Sequence, residues 1–428
     1  MNSISQLCAG LVLGIGLLGA QTSPGLSLEQ LIQIGMEHNS DLRIAERNLA
    51  GARATRRGSM SGLVPRLSAS LSQDLDPGKS FLRDGVQYDP TLYSSRMSLS
   101  QIIFDGGNSW YNRQVGTVGV ERAESELERT HQEVTLAIKR AYYGYLSRVE
   151  LREVAEEALE LSSRQLELVE ERHRLQAVRE TDLLKARVNM GQREVALLQA
   201  GQNVVNAAIT LNISLGLDPF IPVNAARDSV IIRPRVDRDA ALESLIARNP
   251  ALKSQNVAVE NAWLNAKIQR GSLLPSISLG YSQSASASDL SGAFSYNPNN
   301  SSTVLSFSFP LFTGFQNSSR YVRARHSALA EEERLAGLER NLKGQLENTL
   351  SNLASLNSIH PINQDVLASA EADVRLADEQ YKLGAISILD LLDAQVSLIT
   401  ARSTLVRTTY DIKTAEAQLD ALMGTISQ

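Results

Sequence analysis

Two aspartates three residues apart, Asp390 and Asp393, interrupt an otherwise apolar run in "YKLGAISILDLLDAQ", residues 381–395. Helical spacing puts positions i and i+3 on one face, so both carboxylates would stand side by side just after the Leu-Gly-Ala break. Such a pair repels itself slightly, and near a helix start it can complement the positive end of the dipole for about 0.3–1 kcal/mol each. Other chemistry is scarce. His38, His131, His173, His326 and His360 show no metal-ligand spacing. The only cysteine, Cys8, leaves no intrachain disulfide and no cysteine metal site. No serine, histidine and acid stand out as a nucleophilic group, and no glycine-rich phosphate loop occurs. The chain is expected to be no enzyme and to carry no cofactor.

The elements that would hold the two aspartates are long. The 428 residues carry a net charge of −5, which gives no footprint for nucleic acid. Aromatics are 5% against 43% hydrophobic residues overall, a balance that suits long helices. From about residue 108 to 174 there is no proline; at ~1.5 Å per residue such a helix would run ~100 Å. Leu151, Val154, Ala158, Leu161, Gln165 and Leu168 follow a coiled-coil spacing. The next helix, about 181–216, carries two seams, one through Leu184, Val188, Val195 and Leu198 and one through Leu183, Met190, Leu197, Val204 and Leu211. A helix with two seams packs against a neighbour on each side, as in a ring or curved sheet of helices. Residues 1–20, with their apolar run from Leu7 to Ala20, are too short to span a bilayer and read as a signal peptide.

The chain repeats itself. Pro65 and Pro275 lie 210 positions apart in matching stretches. "SLSQIIFDGG" (98–107) matches "SFSFPLFTGF" (306–315), and the Leu183 to Leu211 series returns 208 positions on as Leu391, Leu398, Leu405, Ile412 and Leu419. Two repeats are expected, 27–216 and 239–424, joined by a proline-rich connector at 217–238. Each would read helix, two strands, long helix, turn, helix. The opening helices are expected as single elements, Leu28 to Met60 and Ala240 to Arg270. The strands are placed at about 63–76 and 88–104, then 273–288 and 301–312, with long helices at 108–174 and 314–383 and final helices at 181–216 and 387–424. A kink or break is expected at Pro361, since proline removes a backbone bond and clashes with the preceding turn.

The strands alternate with period two. Leu67, Ala69 and Leu71 oppose Ser68, Ser70 and Ser72; Leu305, Phe307 and Phe309 oppose Ser306 and Ser308. A small polar face with few charges suits a water-filled lumen. Strands of about ten residues fit the thickness of a membrane barrel. Four strands cannot close one, because the lower limit is about eight, so strands in lipid require an oligomer. The alternative is a soluble or cell-surface coiled-coil scaffold, which explains the helices but not the serine-faced strand pairs.

These residues resemble the TolC-type outer membrane efflux protein family over essentially the whole mature length. The resemblance rests on "YKLGAISILDLLDAQ", "SLSQIIFDGG", "SFSFPLFTGF" and the duplicated layout. It implies an α+β membrane protein: a homotrimeric twelve-stranded β-barrel, four strands per protomer, continuous with a long α-helical coiled-coil barrel. It implies residence in the outer membrane lipid of a Gram-negative-type bacterium, with a large periplasmic part. Its partners would be a periplasmic adaptor (membrane fusion) protein and an inner-membrane pump or ABC exporter, for efflux or type I secretion. Asp390 and Asp393 match the aspartates of the tunnel entrance, six carboxylates in a trimer, and crowding would raise some of their pKa values. Tyr381 and Asp182 match two members of the family's closing network. Its arginine position is Ile386, so the gate is either held otherwise, through Arg179 for example, or looser. Adaptor docking would fall on Leu175, Gln176 and Ala177 and on Leu383, Gly384, Ala385, Ile386 and Ser387. Gln176 stands where Gly384 stands in the second tip, which leads to the expectation that the two turns differ in shape.

Overall fold

The structure is a computed structural model that describes residues 25–75, 81–83, 86–88, 91–222, 225–227, 232–233, 236–297 and 300–426. The expected signal peptide, Cys8 and part of the connector lie outside these residues. In chain order the elements are α1 (Leu28–His38), α2 (Ser40–Gly58), β1 (Arg66–Leu75), β2 (Phe81–Arg83), β3 (Val86–Tyr88), β4 (Thr91–Asp105), α3 (Asn108–Arg174) and α4 (Glu180–Leu215). After the connector come α5 (Arg238–Arg248), α6 (Pro250–Gly271), β5 (Ser276–Ala287), β6 (Ser301–Ser308), α7 (Gln316–Lys382) and α8 (Ile388–Met423).

Three expectations are corrected. Each opening helix is two helices, because an asparagine caps a new one. The Asn39 side chain accepts from the Asp41 amide at 2.8 Å, and Asn249 accepts from Ala251 and Leu252. Both asparagines are extended, at ψ 129° and 120°. Pro250 adds to the second break, since a proline at a first helical position forces the residue before it out of the helical region. Pro361 causes no break: α7 runs unbroken for 67 residues with Pro361 inside. One bond is lost there, and the continuous ladder on both sides holds the helix. Last, β2 and β3 form an antiparallel pair between the first two expected strands, where no further strand is expected.

The main sheet has the order β1-β4-β5-β6, antiparallel throughout, with β1 and β6 as its edges. Its register gathers like with like. Leu67, Leu99, Tyr281 and Thr303 form one row across the four strands, while Ser68, Ser98, Ser282 and Ser302 form the next. Side chains alternate across a strand, so these rows lie on opposite faces. The serine face is knitted by hydroxyls, Ser68 to Ser98 at 2.8 Å and Ser94 to Ser286 at 3.1 Å. A register shift between Ile102 and Phe104 brings Phe104 opposite Ile277. The extra residue keeps the apolar face apolar where strict alternation would have turned Phe104 away. In the single protomer this face is bare: Leu67 is 70%, Leu305 67% and Phe307 68% exposed.

Contacts divide the chain into two compact units, made of the described residues within Met1–Glu37, Ile138–Ile232 and Val366–Tyr410, and within His38–Ala137, Arg233–Asp365 and Asp411–Gln428. The second unit holds the sheet and the helix ends that abut it. Glycine is required there: a Cβ on Gly106 would lie 2.3 Å from the Gly271 carbonyl oxygen. Beyond this junction Val118 of α3 is buried against Val257 and Leu264 of α6. The first unit is helical. Arg402 on α8 pairs with Glu157 on α3 and, at 3.6 Å, with Glu371 on α7, so α8 is packed on both sides. Of the two seams on α4, Leu183 and Leu211 are buried, whereas Leu184, Val188, Val195, Leu198 and Val205 are all exposed.

The positive-φ residues among those described fall into four pairs 208 positions apart: Gly106 and Gly314, Gly107 and Phe315, Gln176 and Gly384, Gly216 and Gly424. Two of the eight are not glycine, Gln176 and Phe315.

Candidate functional site

The two tips, where α3 turns into α4 and α7 into α8, hold the residues singled out in the sequence. The turns have one shape, contrary to expectation. Gln176 N–H donates to the His173 carbonyl at 2.9 Å and Ala177 N–H to Arg172 at 2.8 Å. Gly384 N–H donates to Tyr381 at 3.0 Å and Ala385 N–H to Gln380 at 2.9 Å. Both are Schellman closures that satisfy the last helical carbonyls. Gln176 adopts the left-handed conformation, φ 57°, because the hydrogen bonds of the turn demand it whatever the residue.

Behind the turns lies one small core: Val169, Leu183, Ala186, Ala377, Tyr381, Ile388, Leu391 and Ala394 are buried together. Helix spacing brings Leu391 and Ala394 inward, which leaves Asp390 and Asp393 outward and exposed. Of the docking candidates, Leu175, Gln176, Ala177, Leu383, Gly384, Ala385 and Ser387 are exposed and Ile386 is partly buried against the core.

The two aspartates differ in their bonds. Asp390 is locked in a capping box: its Oδ2 accepts from the Ser387 amide at 2.9 Å and the Ser387 hydroxyl at 2.7 Å. These bonds hold the Asp390 carboxyl below its ordinary 3.8, so within the protomer its pKa moves opposite to the rise expected from crowding. Bonds to the ionised form outweigh any neighbour here. The Asp393 backbone carbonyl accepts from Ser397 at 3.0 Å as part of α8.

Tyr381 is 5% exposed, and its hydroxyl makes no hydrogen bond within the protomer. Burial pushes the phenol pKa up; the Arg172 cation opposes that rise and the Asp182 carboxylate adds to it. The tip cation facing this tyrosine is therefore Arg172, not Arg179. Arg172 stacks over the ring at 5.1 Å and donates to the Tyr381 and Lys382 carbonyls at 3.1 and 2.9 Å. It thus caps the end of α7 from α3 and ties the two tips together. Arg179 is the extended residue that opens α4 and makes no side-chain cap. Sequence reasoning missed Arg172 because it lies 209 positions from its partner. The Ser387–Asp390 box, by contrast, follows a pattern readable in the sequence. Nothing in the described residues gathers three or more His, Cys, Asp or Glu as a metal cluster, and no described helix is long and apolar enough to cross a membrane.

Comparison with known proteins agrees with this geometry. Outer membrane protein TolC of Escherichia coli K12 is 23% identical over 98% of this chain and 86% of its own. Outer membrane efflux protein BepC of Brucella suis is 24% identical over 88% of this chain and 79% of its own. Among solved structures, CusC superposes with a TM-score of 0.82 at 21% identity, covering 93% of this chain and 92% of its own. The Campylobacter jejuni CmeC outer membrane channel gives 0.82 at 18% identity, covering 93% and 86%. The profile of the outer membrane efflux protein family matches residues 31–217 and 241–425. With sheet, paired tips and both halves of the chain accounted for, the chain belongs to the outer membrane efflux protein family and is an outer-membrane efflux channel.

Proposed function

We propose that three copies pool their sheets into one twelve-stranded barrel, and that their helices form the tunnel beneath it. The observation that carries this is the sheet itself. It has four strands, two free edges and a bare apolar face. Unpaired edges in lipid cost several kcal/mol per backbone group, so the sheet must be closed by others of its kind. The exposed seam on α4, Leu184 to Val205, supports the same reading, because it offers a neighbouring copy a coiled-coil surface. The 208-residue spacing of the positive-φ positions supports a tandem duplication, which makes each protomer contribute two similar halves to the ring.

In this duct substrates supplied by an inner-membrane pump or exporter leave the cell, with a periplasmic adaptor engaging the tips around Leu175–Ala177 and Leu383–Ser387. Asp390 and Asp393 line the periplasmic entrance and favour cations. The buried Tyr381 hydroxyl and Asp182 belong to the closing contact between tips, with Arg172 holding the ring in place. The duct does no covalent chemistry; energy and substrate choice come from the pump.

Native mass measurement of the detergent-extracted channel, followed by planar-bilayer conductance, tests the reading. A trimer with cation-selective conductance is expected, and Asp390→Ala with Asp393→Ala should weaken that selectivity. A water-soluble monomer without conductance would overturn the assembly, and unchanged selectivity would overturn the entrance assignment.

A further inference from the structure

Basic residues concentrate at one end of the sheet. β1 starts there at Arg66, β4 ends at Asp105, β5 starts at Ser276 and β6 ends at Ser308. The ends of α2 and α6 and the beginnings of α3 and α7 abut the same edge, pinned by the Gly106–Gly271 contact and by Asn317 Nδ2 donating to the Ser272 carbonyl at 3.0 Å. Across residues 53–66, 105–120, 262–275 and 312–330 there are ten Lys and Arg and a single acid, Asp105, in a chain whose net charge is −5. Asp105 is occupied by the Ser109 amide and hydroxyl. Arg53 pairs with Glu124. Arg56, Arg57, Arg66, Arg113, Arg320 and Arg323 make no ion pair among the described residues.

This placement breaks a local rule. The first turns of α3 and α7 carry no acidic residue, although the positive end of each helix dipole favours anions there. Asp105 supplies a counter-charge at the start of α3 through the Ser109 amide, but no acidic residue stands at the start of α7, where Arg320 and Arg323 add like charge to like and leave room for an anion from outside the chain. Aromatic residues stand at the same level. Trp110 is 52% and Phe312 75% exposed, with Arg113 over the Trp110 ring at 5.3 Å and Phe315 edge-on to Phe312 at 5.5 Å. Exposed tryptophan and phenylalanine next to arginine mark the boundary between hydrocarbon and headgroups. Between α6 and α7 an open cleft of about 530 Å³ is lined by Asn265, Gln269, Arg320, Arg323 and Ser327. Two guanidinium forks with amide and hydroxyl donors beside them suit a phosphodiester.

We infer that this basic collar binds the phosphate headgroups of anionic glycerophospholipids in the periplasmic leaflet, with the α6–α7 cleft as the principal site. The inference rests on the reading that the sheet spans the membrane. It gives the collar a task beyond the duct: it fixes the depth of the barrel and selects its lipid surroundings.

The test uses the full-length channel reconstituted in an equal mixture of phosphatidylcholine and phosphatidylglycerol, then re-extracted, with the retained lipid quantified. Phosphatidylglycerol is expected in roughly thirtyfold excess, from two arginines acting on a headgroup whose phosphate charge is not cancelled by choline. The excess should fall at high salt and vanish in Arg320→Gln with Arg323→Gln, two exposed side chains whose loss leaves conductance intact. Equal retention of both lipids by the wild type overturns the inference while the conducting channel stands. An excess that survives the double substitution removes the cleft as the site. An excess abolished by added inorganic phosphate assigns the collar to free anions and overturns the lipid reading. A wild type that neither conducts nor retains lipid overturns the membrane reading on which the inference rests.

Discussion

Gln176 sits in a conformation that glycine occupies without strain. Its φ is 57°, and its counterpart Gly384 sits at 74° in the same hydrogen-bonded turn. A left-handed backbone costs an ordinary residue roughly 1–2 kcal/mol, from Cβ against the following carbonyl. Glycine avoids that cost but loses roughly 0.5–1 kcal/mol more chain entropy on folding. Gln176→Gly should therefore stabilise the first tip by about 0.5–1 kcal/mol. Nothing lies within 4 Å of a Cβ built on Gly384, so the reverse change, Gly384→Gln, meets no steric block and should destabilise by a similar amount. Global melting would miss this, because tips open locally in a large assembly that unfolds irreversibly. Hydrogen exchange at the tip amides reads it directly. Exchange at Gln176 and Ala177 should slow about two- to fivefold in Gln176→Gly and quicken at Gly384 and Ala385 in the reverse variant. Faster exchange in Gln176→Gly, or no change in either variant, would refute the argument that backbone strain is held at this turn.

Two other predictions follow from the same geometry. Ser387→Ala removes the hydroxyl's bonds to Asp390 while the residue's amide still donates to the carboxylate, and it should loosen the start of α8 by about 1 kcal/mol, read as faster exchange there. Because the folded pKa of Asp390 is depressed, its stabilising contribution is present above 3.8 and is lost as pH falls through the lower folded value. Exchange at the second tip should accelerate only below that range in the wild type, and the pH dependence should shrink in the variant. In the unit that holds the sheet, Arg233 donates to both oxygens of Asp420 at 3.0 Å, and its amide donates to Glu416. Arg233→Met keeps the amide bond to Glu416 but leaves the buried Asp420 carboxylate without its guanidinium, and should cost about 1–2 kcal/mol, discounted for the exposed guanidinium. The yield of assembled channel and its unfolding rate would register the loss.

Much of this protein is local in origin, and that part could be read from the residues in order. Period-two alternation with serines opposite leucines placed the four sheet strands, because a pleated strand turns alternate side chains to opposite faces whatever surrounds it. A proline-free stretch placed α3, its repeat about 208 positions on placed α7, and the series from Leu391 to Leu419 placed the inward stripe of α8. Asp390 and Asp393 could be put outward beside a turn by spacing alone. Tertiary structure decided what depends on distant chain. Gln176 is left-handed because a turn between packed helices requires it, against its own preference. Pro361 stays within a helix because the ladder around it is longer than the defect. Arg172 reaches Tyr381, and a basic collar gathers from four separate segments, only because the fold brings their backbones together. Periodicity reports which way a side chain faces, and only packing reports what it meets.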